Sequence, residues 1–109
     1  MRPVVVSTSD ASGAVKRSNP VPVDHYKTPF NIGIGCVVNG TVNYDIEHSF
    51  DDPFAAGYTA AGATWFNHAT LVAQTASADG NYAFPVRAVR LVQNSGSGSV
   101  VATIIQAGR

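Results

Sequence analysis

The sequence holds a single cysteine, Cys36, in 109 residues. One thiol builds neither an intramolecular disulfide framework nor a thiolate-only zinc site. Charge is scarce as well. Asp, Glu, Lys and Arg together make up 13% of the chain, against about 25% in ordinary globular proteins. That excludes a disordered charged tail and a coiled coil. There is no basic excess, because seven Lys and Arg balance seven Asp and Glu. Proteins that bind nucleic acid normally carry such an excess, so no nucleic-acid partner is expected. Long apolar runs are missing too. The amino terminus, MRPVVVSTSD, offers three consecutive Val, far short of a signal-peptide core or a membrane span. Neither a secretory leader nor a membrane partner is expected.

What remains fits one small domain of residues 1–109, with 1–24 as an extended N-terminal strand or arm and 25–109 as the core. A net charge of zero protects a free monomer poorly against association, which hints at a surface covered by partners. The periodic signals are those of β-strands. Arg2–Thr8 reads as a short Val-rich strand. Asp10–Gly13 has turn chemistry. Asn19–Asp24 carries Pro20 and Pro22 at alternate positions, so it reads as an edge strand or stiff arm. Lys27–Pro29 is a further break. Asp51–Pro53 ends a strand, and Phe54–Gly62 reads as a long loop. Ala63–Ala73 reads as extended, and Ala78–Asn81 as a turn.

Two hairpins are expected. Phe30–Phe50 folds back around Asn39-Gly40, and a three-residue loop sets Cys36 opposite Val42, Ile34 opposite Tyr44 and Ile32 opposite Ile46. This register gathers the apolar side chains on one buried face and turns Asp45 and Glu47 outward, which burial favours over a one-residue slip. It also gives Gly40 a left-handed conformation. Tyr82–Asn94 and Ser99–Ala107 form the second hairpin through Ser95–Gly98. Its last strand is apolar on both faces, so that strand sits centrally or is covered by something else. The expected fold class is all-β, a two-sheet antiparallel β-sandwich of jelly-roll-like kind.

Groupings that carry chemistry are few. His25, His48 and His68 have no metal-ligand spacing and read as rim or loop residues. Asp45, Glu47, Asp51 and Asp52 form a carboxylate cluster without a calcium-loop pattern, which reads as a solvated strand face and turn. The serines stand in no nucleophile context. Cys36 reads as a buried, inert thiol. No catalytic residue, metal or cofactor is expected, and the chain is read as non-enzymatic. The residues expected to make contacts are Val4, Val5, Val6, Pro20, Pro22, Trp65, Phe66, Arg87, Arg90, Val101 and Ile105. The valines and Ile105 are expected among buried residues, some of them under neighbouring chains. Trp65, Phe66, Tyr58 and Phe54 read as core or interface aromatics, with a sugar platform as the other reading.

The stretches PVPVDHYKTPFNIGIGCVVNGTVNYDIEHSFDDPF and PVRAVRLVQNSGSGSVVATIIQ resemble small virion structural proteins of tailed bacteriophages. The likeness spans most of the chain and rests on style rather than an invariant motif, so no family functional residue carries over to a numbered position. It implies a capsid decoration, or cement, protein made in the host cytoplasm and located in the virion. Such a protein forms a homo-oligomer, dimer or trimer, and binds the major capsid protein or another virion protein. A small tail or fibre-attachment protein is the alternative within that group, and a carbohydrate-binding β-sandwich module the alternative outside it.

Overall fold

The computed structural model describes residues 3–24 and 30–106. The readings at Arg2, His25, Lys27–Pro29 and Ala107 lie outside the described residues. Among the described residues there are nine strands and no helix: β1 (Val4–Ser9), β2 (Lys16–Arg17), β3 (Val21–Pro22), β4 (Ile32–Asn39), β5 (Asn43–Ser49), β6 (Phe66–Asn67), β7 (Ala78–Tyr82), β8 (Ala88–Ser95) and β9 (Ser99–Gln106). They form two antiparallel sheets, β1-β9-β4-β7 and β2-β8-β5-β6, with β3 also paired to β8. The fold is an all-β, two-sheet antiparallel β-sandwich.

Both expected hairpins are overturned. β4 pairs with β7 and β9, whereas β5 pairs with β6 and β8. Asn39–Val42 therefore carries the chain from one sheet to the other, and Ser95–Gly98 does the same between β8 and β9. The burial expected of the first register still holds: Ile32, Ile34, Cys36, Val42, Tyr44 and Ile46 are all buried. They meet across the sandwich instead of side by side in one sheet. Two apolar faces that oppose one another give the same alternation as one face of a hairpin. Gly40 does adopt positive φ, at 91°. The expected turn at Ala78–Asn81 is strand β7, paired with β4 from Cys36↔Ala78 to Ile32↔Tyr82. Of Ala63–Ala73, Phe66–Asn67 is strand, and the rest follows β5 irregularly through His68 N–H to Ile46 O and Ile46 N–H to Leu71 O.

The N-terminal segment forms a strand, as expected, and that strand joins the core. β1 pairs with β9 over its full length, and Val4 and Val6 pack against the core. The proline-bearing stretch forms a broken edge along β8, where Lys16–Arg17 and Val21–Pro22 pair on either side of Ser18–Pro20. Pro20 lies in the unpaired break, and Pro22 sits on this edge strand, where proline is tolerated.

The core between the sheets is built from Ile32, Ile34, Val100, Ala102, Ile104 and Tyr82 on one side and Tyr44, Ile46, Val89 and Leu91 on the other. A buried glutamine closes each end. Gln93 accepts from the Thr8 hydroxyl at 2.9 Å and donates to Gly96 O and Gly98 O at 3.0 Å each. Gln106 accepts from Asp24 N–H at 2.9 Å and donates to Asp24 O at 2.6 Å. Amides without such partners would be costly in an apolar interior.

Candidate interaction surfaces

The carboxylates of the sequence cluster do not converge. Asp45 accepts from Ala73 N–H at 2.6 Å and from the Asn94 side-chain amide at 3.0 Å, which fixes the irregular strip beside β5. Asp51 accepts from Thr64 N–H at 2.7 Å. Asp52 accepts from Phe54 N–H and pairs with Arg87 at 3.8 Å. Glu47 is not merely solvated: its Oε1 receives Arg90 Nε at 2.8 Å and Nη2 at 2.7 Å. Among the described residues, no group of three or more His, Cys, Asp or Glu is placed to hold a metal ion.

Arg90 sits at the centre of the outer face of sheet β2-β8-β5-β6. It is buried between Glu47 and Trp65, with its guanidinium carbon 4.0 Å from the Trp65 ring centroid. Trp65 Nε1 donates to Ala60 O at 2.9 Å. A groove of about 600 Å³ runs between this pair and the Arg17–Pro20 edge. The structure thus brings Pro20, Trp65 and Arg90 together. Pro22 is exposed on β3, and Arg87 stands apart with Asp52.

Phe66 belongs to a different surface, at the end of the sandwich opposite the two crossovers. Tyr44, Ile46, His48 and Phe50 project inward from successive alternate positions of β5 and beyond it. Tyr82 and Phe84 do the same from β7, and Phe66 pairs directly with His48. This inward column runs past the strand ends. Phe50, Phe66 and Phe84 are each 49% exposed there, around a buried His48. Their ring centroids lie 5.5, 5.8 and 5.5 Å from the imidazole.

His48 stands at the end of β5 and His68 in the loop after β6, the positions expected from the sequence, and both are buried. Both pack edge-on against Tyr82, at 4.9 and 4.8 Å. His48 Nδ1 and the Tyr82 hydroxyl share a hydrogen bond of 2.9 Å. Burial lowers the His48 pKa, with His68 adding to the effect and Glu47 opposing it. Burial also raises the Tyr82 phenol well above its usual range. His68 Nδ1 accepts from Thr70 and Leu71 N–H, so its proton lies on Nε2, which donates to Asn81 O at 2.8 Å. No sequence motif marks this cluster, because its members come from three separate segments, 48–50, 66–71 and 81–84.

The third surface is the outer face of sheet β1-β9-β4-β7. The expectation that Val5, Val101 and Ile105 are buried fails within the chain: they are 61%, 38% and 48% exposed. Alternation explains it, since Val4, Val6, Val100, Ala102 and Ile104 take the inward positions. Val37, 63% exposed, joins them. Cys36 points inward from the same strand, and burial pushes its thiol up to about 11. No protein-family model and no curated protein matches the chain.

Proposed function

We propose that the chain is a non-enzymatic structural protein of a phage virion that binds the assembled capsid and stabilises it as a decoration protein. The observation that carries this reading is the aromatic end. Three phenylalanines that a closed core would cover stand half exposed around His48. Exposed aromatic clusters mark interaction sites, and buried aromatic anchors dominate interface energies. The partner this surface fits is a protein surface with an apolar pocket, such as the major capsid protein. A protein that binds the assembled shell and not its free subunits stabilises the shell by mass action at every site.

The test is co-sedimentation with purified particles lacking the protein. Wild-type chain is expected to bind in fixed stoichiometry and raise the temperature at which particles open. Phe84→Ser and Phe66→Ser are expected to keep the fold and bind at least tenfold more weakly, as loss of one aromatic anchor does. Binding to tails alone would favour the tail-protein alternative. The carbohydrate-binding alternative turns on Trp65, one face of whose ring is already occupied by Arg90. Glycan binding lost on Trp65→Ala would favour it over the capsid reading.

A further inference from the structure

We propose that the outer face of sheet β1-β9-β4-β7 is a dimer interface that takes a second copy of this chain. The inference rests on the homo-oligomer part of the reading above but uses a different surface from the aromatic end.

The face is nearly uncharged, and it sets four exposed aliphatic side chains, Val5, Val37, Val101 and Ile105, among glycines and small polar residues. Its outward residues are Val5, Ser7 and Ser9 on β1, Ser99, Val101, Thr103 and Ile105 on β9, and Gly33, Gly35, Val37 and Asn39 on β4. The charge among the described outward residues of the four strands is Asp79, on the β7 edge beside Gly35. Two copies that meet through one patch bring like charges together, and this patch has almost none to oppose them.

The glycines add a second observation. Gly33 and Gly35 lie inside a central strand, where glycine weakens a sheet. Neither is among the positive-φ residues. A Cβ at Gly35 would meet nothing within 4 Å, and one at Gly33 only Ile105 O at 4.0 Å. Nothing within the described chain requires glycine there. Their absence of side chains leaves a trough along β4, walled by Ile105 and Thr103 on one side and Asn81 and Asp79 on the other.

The trough and the ridge beside it are complementary to one another. β9 and β4 are the two middle strands of the four. A two-fold axis parallel to the strands and midway between them lays each β9 over the β4 of the other copy. The Cα register then places Ile105 over Gly33, Thr103 over Gly35 and Val101 over Val37. The exposed isoleucine enters the space that the glycine leaves open.

The size of the face sets the strength. Four strands about 4.8 Å apart, with five to eight residues at about 3.3 Å each, make roughly 400–500 Å² per copy. Two copies bury roughly 800–1,000 Å², below the ~1,200 Å² at which specific, stable interfaces begin. The dimer is therefore weak and concentration-dependent in solution.

Sedimentation velocity over a dilution series, up to roughly 1 mM, tests this with the full chain. The average mass is expected to rise toward that of two copies. Amide NMR shifts should change on dilution at residues 33–37 and 101–105. Gly33→Val fills the trough without an internal clash, and Val37→Lys adds a charge at an exposed position. Each is expected to weaken the dimer at least tenfold while the melting temperature at low concentration does not fall. A monomer across the series overturns the proposal, as does wild-type dimerisation by Gly33→Val or shift changes confined to Phe50, Phe66 and Phe84. Dimerisation without particle binding would overturn the capsid reading and leave this one standing. Particle binding by a strict monomer would do the reverse.

Discussion

The Gly98 amide donates to the Thr41 carbonyl at 2.9 Å, so the two crossovers between the sheets are tied to each other. Gly98 O in turn accepts from Asp10 N–H and from the Gln93 amide. The closure of one end of the sandwich is thus a backbone lattice, with glycine where chains come closest.

Gly96 is the position least able to change. Its φ is +99°, and a Cβ there would run into the Thr41 carbonyl. Gly96→Ala is expected to cost about 1–3 kcal/mol in backbone strain, with the collision adding to it. Gly13→Ala, where a Cβ meets nothing within 4 Å, should stay within about 0.5 kcal/mol. Urea unfolding of the two variants makes the comparison.

Neighbours on β5 differ by the face they occupy. Ile46 is fully buried, and Ile46→Ala should cost about 2–5 kcal/mol. Glu47→Ala removes the partner of a buried arginine. Breaking fully buried pairs costs about 3–5 kcal/mol. Some water reaches this one, so a loss of about 1–3 kcal/mol is expected, more than a solvated carboxylate would give. The Arg87–Asp52 pair is longer and more exposed, and Asp52→Ala should cost under about 1 kcal/mol. A double-mutant cycle on Glu47 and Arg90 isolates the coupling.

The His48 environment makes stability depend on pH. Its folded pKa lies below the ordinary 6.5, so the unfolded chain takes up a proton first as pH falls. No penalty exists above 6.5. Stability declines as pH drops below 6.5 toward the lowered folded value, and this contribution then levels off. Urea midpoints between pH 8 and 5 should show the decline in wild type and less of it in His48→Gln. An equal slope in both would assign the effect elsewhere.

Cys36 should be inert in the native state. Its thiol is buried and pushed up to about 11, so the thiolate is rare at neutral pH. Labelling by a thiol reagent should follow the unfolding transition in urea. Fast labelling in native buffer would show that β4 opens locally.

Alternation made the all-β class and the inward set on Ile32–Cys36 and Val42–Ile46 legible in the sequence. It did not reveal strand partners, because Ile34 and Tyr44 fall on inward faces whether they share a sheet or oppose each other. The Ala78–Tyr82 strand was hidden by Asp79-Gly80-Asn81, whose composition signals a turn. Pairing with β4 overrides that propensity, and Gly80 is needed because a Cβ would press on Leu71 and His68. The aromatic end was half visible. Phe66 stood out through its neighbour Trp65, but Phe50 and Phe84 reach it only through β5 and β7.

The placement of β9 also bears on how the chain is made. Ile104 pairs with Val4 on one side and Ile34 on the other. The first strand of the sheet therefore waits for the last, a separation of 100 residues from Val4 to Ile104. At about 5–20 residues per second on the ribosome, that is roughly 5–20 s. During this interval Val4–Ser9 has no native partner. A chain interrupted before Ser99 leaves both β1 and β4 with bare edges, open to pairing with other nascent chains.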